Sequence, residues 1–202
     1  MSDDFTVFVV DDDRAVRNAL ALLLKAANYH CQAYDSAQAF LEAFDSDVPG
    51  CAVLDIQMPG MSGLQLQQEL ADSGYEIPVI FLTGHGDVPA AVQALKDGAV
   101  DFLEKPINAD RLIRCVQRAL HKDQSQREAS RKKTDNQKRL AKLTPREAEI
   151  LELVLAGTAS KVIAMDLTIS ERTVEIHRSH IMKKLEVRNL AQLMRTYAGT
   201  EA

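Results

Sequence analysis

Long apolar runs are missing from this sequence. None approaches the roughly 18 residues that a membrane-spanning helix needs, and the opening Met1-Ser2-Asp3-Asp4 is acidic where a secretory signal would be basic. The expectation is a cytoplasmic protein with no membrane partner. Cysteine is scarce: Cys31, Cys51 and Cys115 are odd in number, widely spaced and set among apolar residues, and no Cys-x-x-Cys occurs. That argues against a disulfide framework or a zinc site and for buried free thiols. Positive charge is sparse in the first part of the chain only. Residues 1–120 hold 8 Lys and Arg against 18 Asp and Glu, whereas residues 121–202 hold 16 against 11. Opposite balances call for different partners, the basic part suiting a polyanion such as nucleic acid. What is present is ordinary globular composition, 46% hydrophobic and 26% charged over 202 residues, enough for one or two domains.

The first 120 residues alternate strand and helix signals. Phe5–Val10, Cys31–Tyr34, Ala52–Leu54, Pro78–Leu82 and Val100–Leu103 are short apolar runs that read as strands. Between them lie a helical stripe through Ala15, Val16, Ala19, Leu20, Leu23 and Leu24, a helix over 37–44 capped by Ser36, and helices near 62–71, 89–96 and 109–120. Five βα units predict an α/β fold, a doubly wound parallel sheet of five strands with helices on both faces.

Ligands of such sheets sit beyond the carboxyl ends of the strands, and the polar strand ends fall there. The first strand ends in Asp11-Asp12-Asp13, the third in Asp55, the fourth in Thr83, and the fifth runs to Lys105-Pro106. Asp11, Asp12 and Asp55 crowded together repel, and a hard divalent cation such as Mg²⁺ relieves that repulsion. Lys105 adds a point positive charge and Thr83 a hydroxyl able to hold a phosphoryl oxygen. A carboxylate–lysine cluster that only ties the sheet ends together is the alternative.

Asp11-Asp12, Asp55 with Met58-Pro59-Gly60-Met61-Ser62-Gly63, Thr83 and Lys105-Pro106 together resemble the CheY-like receiver domain of bacterial two-component response regulators over about residues 5–120. The runs Thr83-Gly84-His85-Gly86-Asp87-Val88-Pro89 and Asp101-Phe102-Leu103-Glu104-Lys105-Pro106 look most like the FixJ subgroup. The resemblance implies phosphorylation of Asp55 by a sensor histidine kinase. It implies Mg²⁺ held by Asp11, Asp12, Asp55 and the backbone carbonyl of Gln57, and phosphoryl binding by Thr83 and Lys105. Phe102 would be the switch ring that follows Thr83 inward, making the face of the last receiver helices and fifth strand competent to dimerise. Gln57 and His85, each two residues beyond a site residue, would line the path of hydrolytic water.

Residues 121–142 read as a polar linker, helical because it lacks Gly and Pro, and without an apolar stripe for packing. Residues 143–202 read as a small all-α domain. Thr144 caps a helix with Pro145 at its first position; a short helix follows over Ala159–Leu167, then a longer one from Ser170 to about Leu185, and a last over 189–198. A short helix, a tight turn and a longer basic helix describe a helix-turn-helix whose second helix enters the DNA major groove. On that helix Val174, Ile181 and Leu185 share one face at about 100° per residue; Arg172, Ile176, Ser179 and Lys183 fall opposite, with Glu175 and Lys184 on the shoulders. The polar face is the candidate DNA surface. Arg178 lies nearer the buried stripe and could pair with Glu147 or Glu149 or reach a phosphate; His177 reads as a packed helix residue.

Leu143-Thr144-Pro145-Arg146-Glu147, Ala164, Thr173-Val174-Glu175-Ile176-His177-Arg178 and Lys183-Lys184-Leu185 resemble the LuxR-type (NarL/FixJ) DNA-binding domain over 143–198, which adds Thr173 to the DNA-facing set. Thr158-Ala159-Ser160-Lys161 departs from that family's usual pattern and touches a phosphate-contact turn. The two resemblances together imply a regulator, not an enzyme. It would dimerise when phosphorylated, bind two half-sites in double-stranded DNA and activate transcription, with RNA polymerase as a further partner. A Mg²⁺-dependent phosphohydrolase with a nucleophile in Asp11-Asp12-Asp13 is the rival from another class, and a signal-independent dimerising receiver is a third.

Overall fold

A computed structural model describes residues 5–84 and 98–198. The chain divides into two compact units, Met1–Arg127 and Glu128–Ala202.

The first unit is the expected α/β layer structure. Strands β1 (Thr6–Val10), β2 (His30–Tyr34), β3 (Gly50–Asp55), β4 (Val79–Thr83) and β5 (Asp101–Glu104) form one sheet in the order β2-β1-β3-β4-β5. All four pairings are parallel, with Val9 opposite Ala33 and Val53, and Leu54 opposite Phe81. Because strand side chains alternate faces, Val7 and Val9 pack with α1 (Arg14–Ala26) and α4 (Ala109–Leu140), while Phe8 and Val10 pack with α2 (Ala37–Ala43) and α3 (Gly63–Asp72). β1, β3 and β4 are buried throughout, as central strands covered on both faces must be. Reversal of strand order at β1 and β3 puts the topological switch point between Asp11 and Asp55. The helix expected over 89–96 lies outside the described residues.

Helix ends follow local chemistry. Asp13 caps α1 by accepting from the amides of Ala15 and Val16. Ser62 and Gln65 form a reciprocal capping box at α3. Gly63 is needed there for space, since a Cβ would lie 2.2 Å from the carbonyl oxygen of Asp55.

The helix expected over 109–120 and the helical linker expected after it are one uninterrupted helix of 32 residues, because nothing between Ala109 and Leu140 breaks it. Its middle packs further than its polar composition suggests. Asp123 is 2% exposed and accepts from the Gly50 amide at 3.2 Å, and both its oxygens lie 2.9 Å from Arg127 Nε. The Arg127 guanidinium also donates to the carbonyls of Ser46, Asp47 and Val48. The missing apolar stripe misleads here because the attachment is polar. Residues 128–135 are exposed on all sides. Cys51 and Cys115 are buried free thiols, as expected, whereas Cys31 is only half-buried; burial pushes its thiol up to about 11.

The second unit is all-α: α5 (Pro145–Leu155), α6 (Ser160–Asp166), α7 (Glu171–Lys184) and α8 (Leu190–Tyr197). Thr144, Ser170 and Asn189 cap α5, α7 and α8. Ile150, Leu151, Val154, Ile163, Val174, Ile181, Leu185, Leu193 and Tyr197 make its core. The face of α7 read from 100° periodicity as apolar is the buried one.

Candidate functional site

The carboxyl edge of the sheet gathers the predicted acids. Asp11 follows β1 and is fully buried, Asp55 ends β3 and is 6% exposed, and Asp12 is exposed between β1 and α1. One oxygen from each of the three lies within 4.8 Å of the others. At an effective dielectric of about 20, two carboxylates at that separation repel by roughly 3 kcal/mol. Lys105 reaches in beyond β5, with Nζ 2.7 Å from Asp11 Oδ2 and 2.8 Å from Asp55 Oδ2. Lys105 bridges two of the three carboxylates, so within this cluster the acids outnumber the ammonium.

Titration follows this geometry. Burial raises the Asp55 carboxyl above its ordinary value and nearby Asp11 adds to the rise, while Lys105 and the Gln57 amide pull the other way without cancelling it. Burial alone would lower the Lys105 ammonium, but its bonds to Asp11 and Asp55 hold it above the usual lysine range. The acidic donor set, three carboxylates converging at the carboxyl edge of the sheet, fits a hard divalent cation with oxygen ligands.

The remaining receiver residues fall around this cluster. Gln57 is exposed, and its amide lies 3.4 Å from Asp55 Oδ1. Thr83 closes β4, is 4% exposed, and its carbonyl accepts from the Lys105 amide at 2.9 Å. Phe102, on β5, is half-buried. His85 lies outside the described residues. Three roles escaped the sequence reading. Arg17 Nη1 donates to the Asp11 carbonyl at 2.7 Å, one helical turn into α1. Arg111 lies with its guanidinium carbon 5.8 Å from the Phe102 ring centroid and donates to the Phe102 carbonyl. Asp13, adjacent to the acidic pair, is the cap of α1. Arginine at these positions carries no periodic signal, whereas the cap position of Asp13 was open to inspection.

On α7, Arg172, Glu175, Ile176, Ser179 and Lys183 are exposed, Ile176 at 48%, while Thr173 is half-buried. The Thr173 hydroxyl lies 2.8 Å from that of the cap Ser170. Lys184 departs from the expected DNA face. Its Nζ lies 2.6 Å from Oε2 of buried Glu147, the same oxygen that accepts from the amide and hydroxyl of Thr144. A shoulder position lets a long lysine side chain reach inward, and an otherwise unpaired buried carboxylate draws it there. Arg178 pairs with neither Glu147 nor Glu149: Lys184 occupies the first and Arg146 the second, and Arg178 donates to Ser160 Oγ at 2.8 Å. His177 is half-buried, and among the described residues its Nδ1 has no hydrogen-bond partner.

A doubly wound parallel sheet with an acidic, lysine-bridged carboxyl edge, followed by a helix-turn-helix unit, defines a receiver-plus-effector protein. Comparison with known families names the class: residues 7–117 match the response regulator receiver domain and residues 141–197 match bacterial regulatory proteins of the luxR family. The chain belongs to the two-component response regulators with a LuxR-type DNA-binding domain, the FixJ/NarL type, and is a transcription regulator. It is 44% identical over 195 residues to transcriptional regulatory protein FixJ of Azorhizobium caulinodans, covering 96% of this chain and 92% of that protein. Nodulation protein W of Bradyrhizobium diazoefficiens is 43% identical over 189 residues, covering 94% and 83%. Among solved structures, response regulator StyR superposes with a TM-score of 0.86 at 41% identity, covering 97% of this chain and 99% of StyR. Full-length FixJ from B. japonicum gives 0.60 at 37% identity, covering 98% of each.

Proposed function

We propose that Asp55 is the phosphoacceptor of a sensor histidine kinase and that the phosphorylated protein dimerises, binds two DNA half-sites and activates transcription. The observation that carries this reading is the Asp11–Asp55–Lys105 bridge, in which one ammonium holds two buried carboxylates at 2.7 and 2.8 Å at the sheet's switch point. Asp11, Asp12, Asp55 and the Gln57 carbonyl would hold Mg²⁺, which supplies charge neutralisation for incoming phosphoryl oxygens. An Asp55 oxygen forms the new O–P bond as the donor's bond to phosphorus breaks. Lys105, already within reach of Asp55, then exchanges a carboxylate partner for a phosphoryl oxygen. Thr83, at the end of the adjacent strand, supplies a hydroxyl to the same group, and Phe102 on β5 takes up the space that Thr83 leaves. The switched face then pairs two copies, and two α7 helices meet successive major grooves through Arg172, Thr173, Glu175, Ile176, Ser179 and Lys183. RNA polymerase is the partner that the bound dimer serves. Such a role is regulatory and asks for no metabolic substrate.

The test is labelling by a small phosphodonor in Mg²⁺. Asp55→Asn is expected to abolish it and Asp13→Asn to keep most of it. Labelling that survives Asp55→Asn and disappears in Asp11→Asn would transfer the case to a phosphohydrolase with its nucleophile after β1.

A further inference from the structure

A carboxylate is an unexpected group to find in the middle of the surface that would meet DNA. Glu175 is the fifth residue of α7, its side chain 61% exposed, flanked by exposed Arg172, Ile176 and Ser179. Facing phosphates it can only repel, and as a long, mobile side chain it would do so diffusely. In the structure this carboxylate accepts one hydrogen bond and has a guanidinium beside it. Arg178 Nη1 donates to Ser160 Oγ at 2.8 Å, which leaves the Ser160 hydroxyl proton for Glu175 Oε1 at 2.6 Å; Arg178 Nε lies 3.9 Å from that same carboxylate oxygen. The relay runs from α7 through the first residue of α6 and back to α7, so it crosses the turn of the helix-turn-helix. α6 has Ala159 at its cap position with no side-chain cap bond, so Ser160 is engaged in the relay and not in a cap. Glu175 is thereby an oriented acceptor with a counter-charge behind it.

We infer that Glu175, held by Ser160 and Arg178, selects cytosine in each half-site. The inference deepens the DNA-binding reading above and rests on it. Residues in the amino-terminal part of a recognition helix reach base edges. An acceptor-only group is satisfied there only by an amino donor: cytosine N4 presents one, adenine places the acceptor N7 beside its N6, and guanine and thymine offer N7, O6 or O4 acceptors to a carboxylate. Cytosine is therefore the partner that leaves no acceptor facing the carboxylate. Ser160 and Arg178 are positioning residues, since they act through Glu175.

The experiment is selection from a duplex DNA pool randomised over the binding site, with the full-length protein treated with a small phosphodonor in Mg²⁺. Wild type is expected to enrich C·G at one symmetry-related position of both half-sites, by about tenfold over other bases. Glu175→Gln keeps an oxygen for Ser160 and adds an amide donor, so preference at that position moves to a purine, adenine foremost. Ser160→Ala keeps cytosine but lowers its enrichment, because the carboxylate is no longer pinned. If Glu175 only braces α6 against α7, wild type and Glu175→Gln enrich one and the same consensus, and that result overturns the inference. A change at a position where wild type holds a base other than cytosine overturns the choice of base. A pool from which wild type enriches nothing overturns the DNA-binding reading itself, and this inference with it.

Discussion

Among the described residues two lysines bridge to buried carboxylates, and at nearly the same distance they do opposite things. Lys105 sits 2.7 and 2.8 Å from Asp11 and Asp55 in the first unit; Lys184 sits 2.6 Å from Glu147 in the second. Around Lys105 the carboxylates outnumber the ammonium, and burial leaves the Asp55 carboxyl above its ordinary value. Around Glu147 the count is one to one. Burial there too would raise the carboxyl, but Lys184 together with the amide and hydroxyl of Thr144 holds it at about 2. The first arrangement is unsatisfied and open to a cation or phosphoryl group; the second is complete and ties α7 to the start of α5. Ion-pair distance does not separate a site from a rivet, whereas the charge count and the remaining hydrogen bonds do.

Removing the rivet gives the largest expected effect. Glu147→Ala takes away both the capping partner and the acceptor of Lys184, and is expected to cost about 3 kcal/mol, read as lost hydrogen-exchange protection across α5 and α7. The pH dependence has a definite sign. The folded value of Glu147 lies below the 4.5 of an unperturbed glutamate, so its contribution is full above 4.5 and is lost as pH falls toward about 2. Protection of α5 that stays constant between pH 5 and about 2.5 would break the comparison.

Next in size is Gly63→Ala. The added Cβ meets the Asp55 carbonyl, so α3 or the end of β3 must shift, at about 2 kcal/mol. Slower Asp55 phosphorylation and weaker Mg²⁺ binding are the accompanying readouts.

The frustrated site should respond in the opposite direction to the rivet. The folded Asp55 carboxyl is raised above 3.8, so the native state holds that proton more tightly than the unfolded chain, and stability falls as pH rises through and above 3.8. Asp55→Asn in chelator at neutral pH is therefore expected to raise the melting temperature of the first unit, with the gain shrinking in Mg²⁺. Lys105→Ala should do the reverse, losing stability in chelator and recovering in Mg²⁺. It should still accept phosphate while failing to dimerise in light scattering. The smallest effect belongs to Asp13, which only caps α1: Asp13→Asn is expected to be within about 0.5 kcal/mol of wild type, since Asn caps as well as Asp.

What the sequence made legible was whatever repeats or terminates. Alternation of βα units gave the sheet, and the acids and Lys105 were visible because each stands where an apolar run stops. The buried stripe of α7 followed from its period. Pairings that no strand end announces were not legible. Lys184 and Glu147 are 37 residues apart, and only the folded backbone tells which of two adjacent lysines turns inward. Arg17 contacts a main-chain carbonyl, which any residue could offer. The Ser160–Glu175–Arg178 relay likewise needs the turn to close before its members meet.

The bond between Arg127 and the loop before β3 has a consequence for proteases. Trypsin needs several residues of extended chain around a basic residue, and a helix must open locally to provide them. At Arg118 and Lys122 that opening would have to break the buried contacts of Ala119, Leu120 and Asp123, and at Arg127 four carbonyl or carboxylate partners. At Arg131, Lys132 and Lys133 the helix is exposed on every side, so opening there breaks only its own backbone bonds. Brief digestion should therefore release the amino-terminal unit as a fragment ending at 131–133, with the whole clamp retained, and not one trimmed back to the end of the apolar stripe near residue 120.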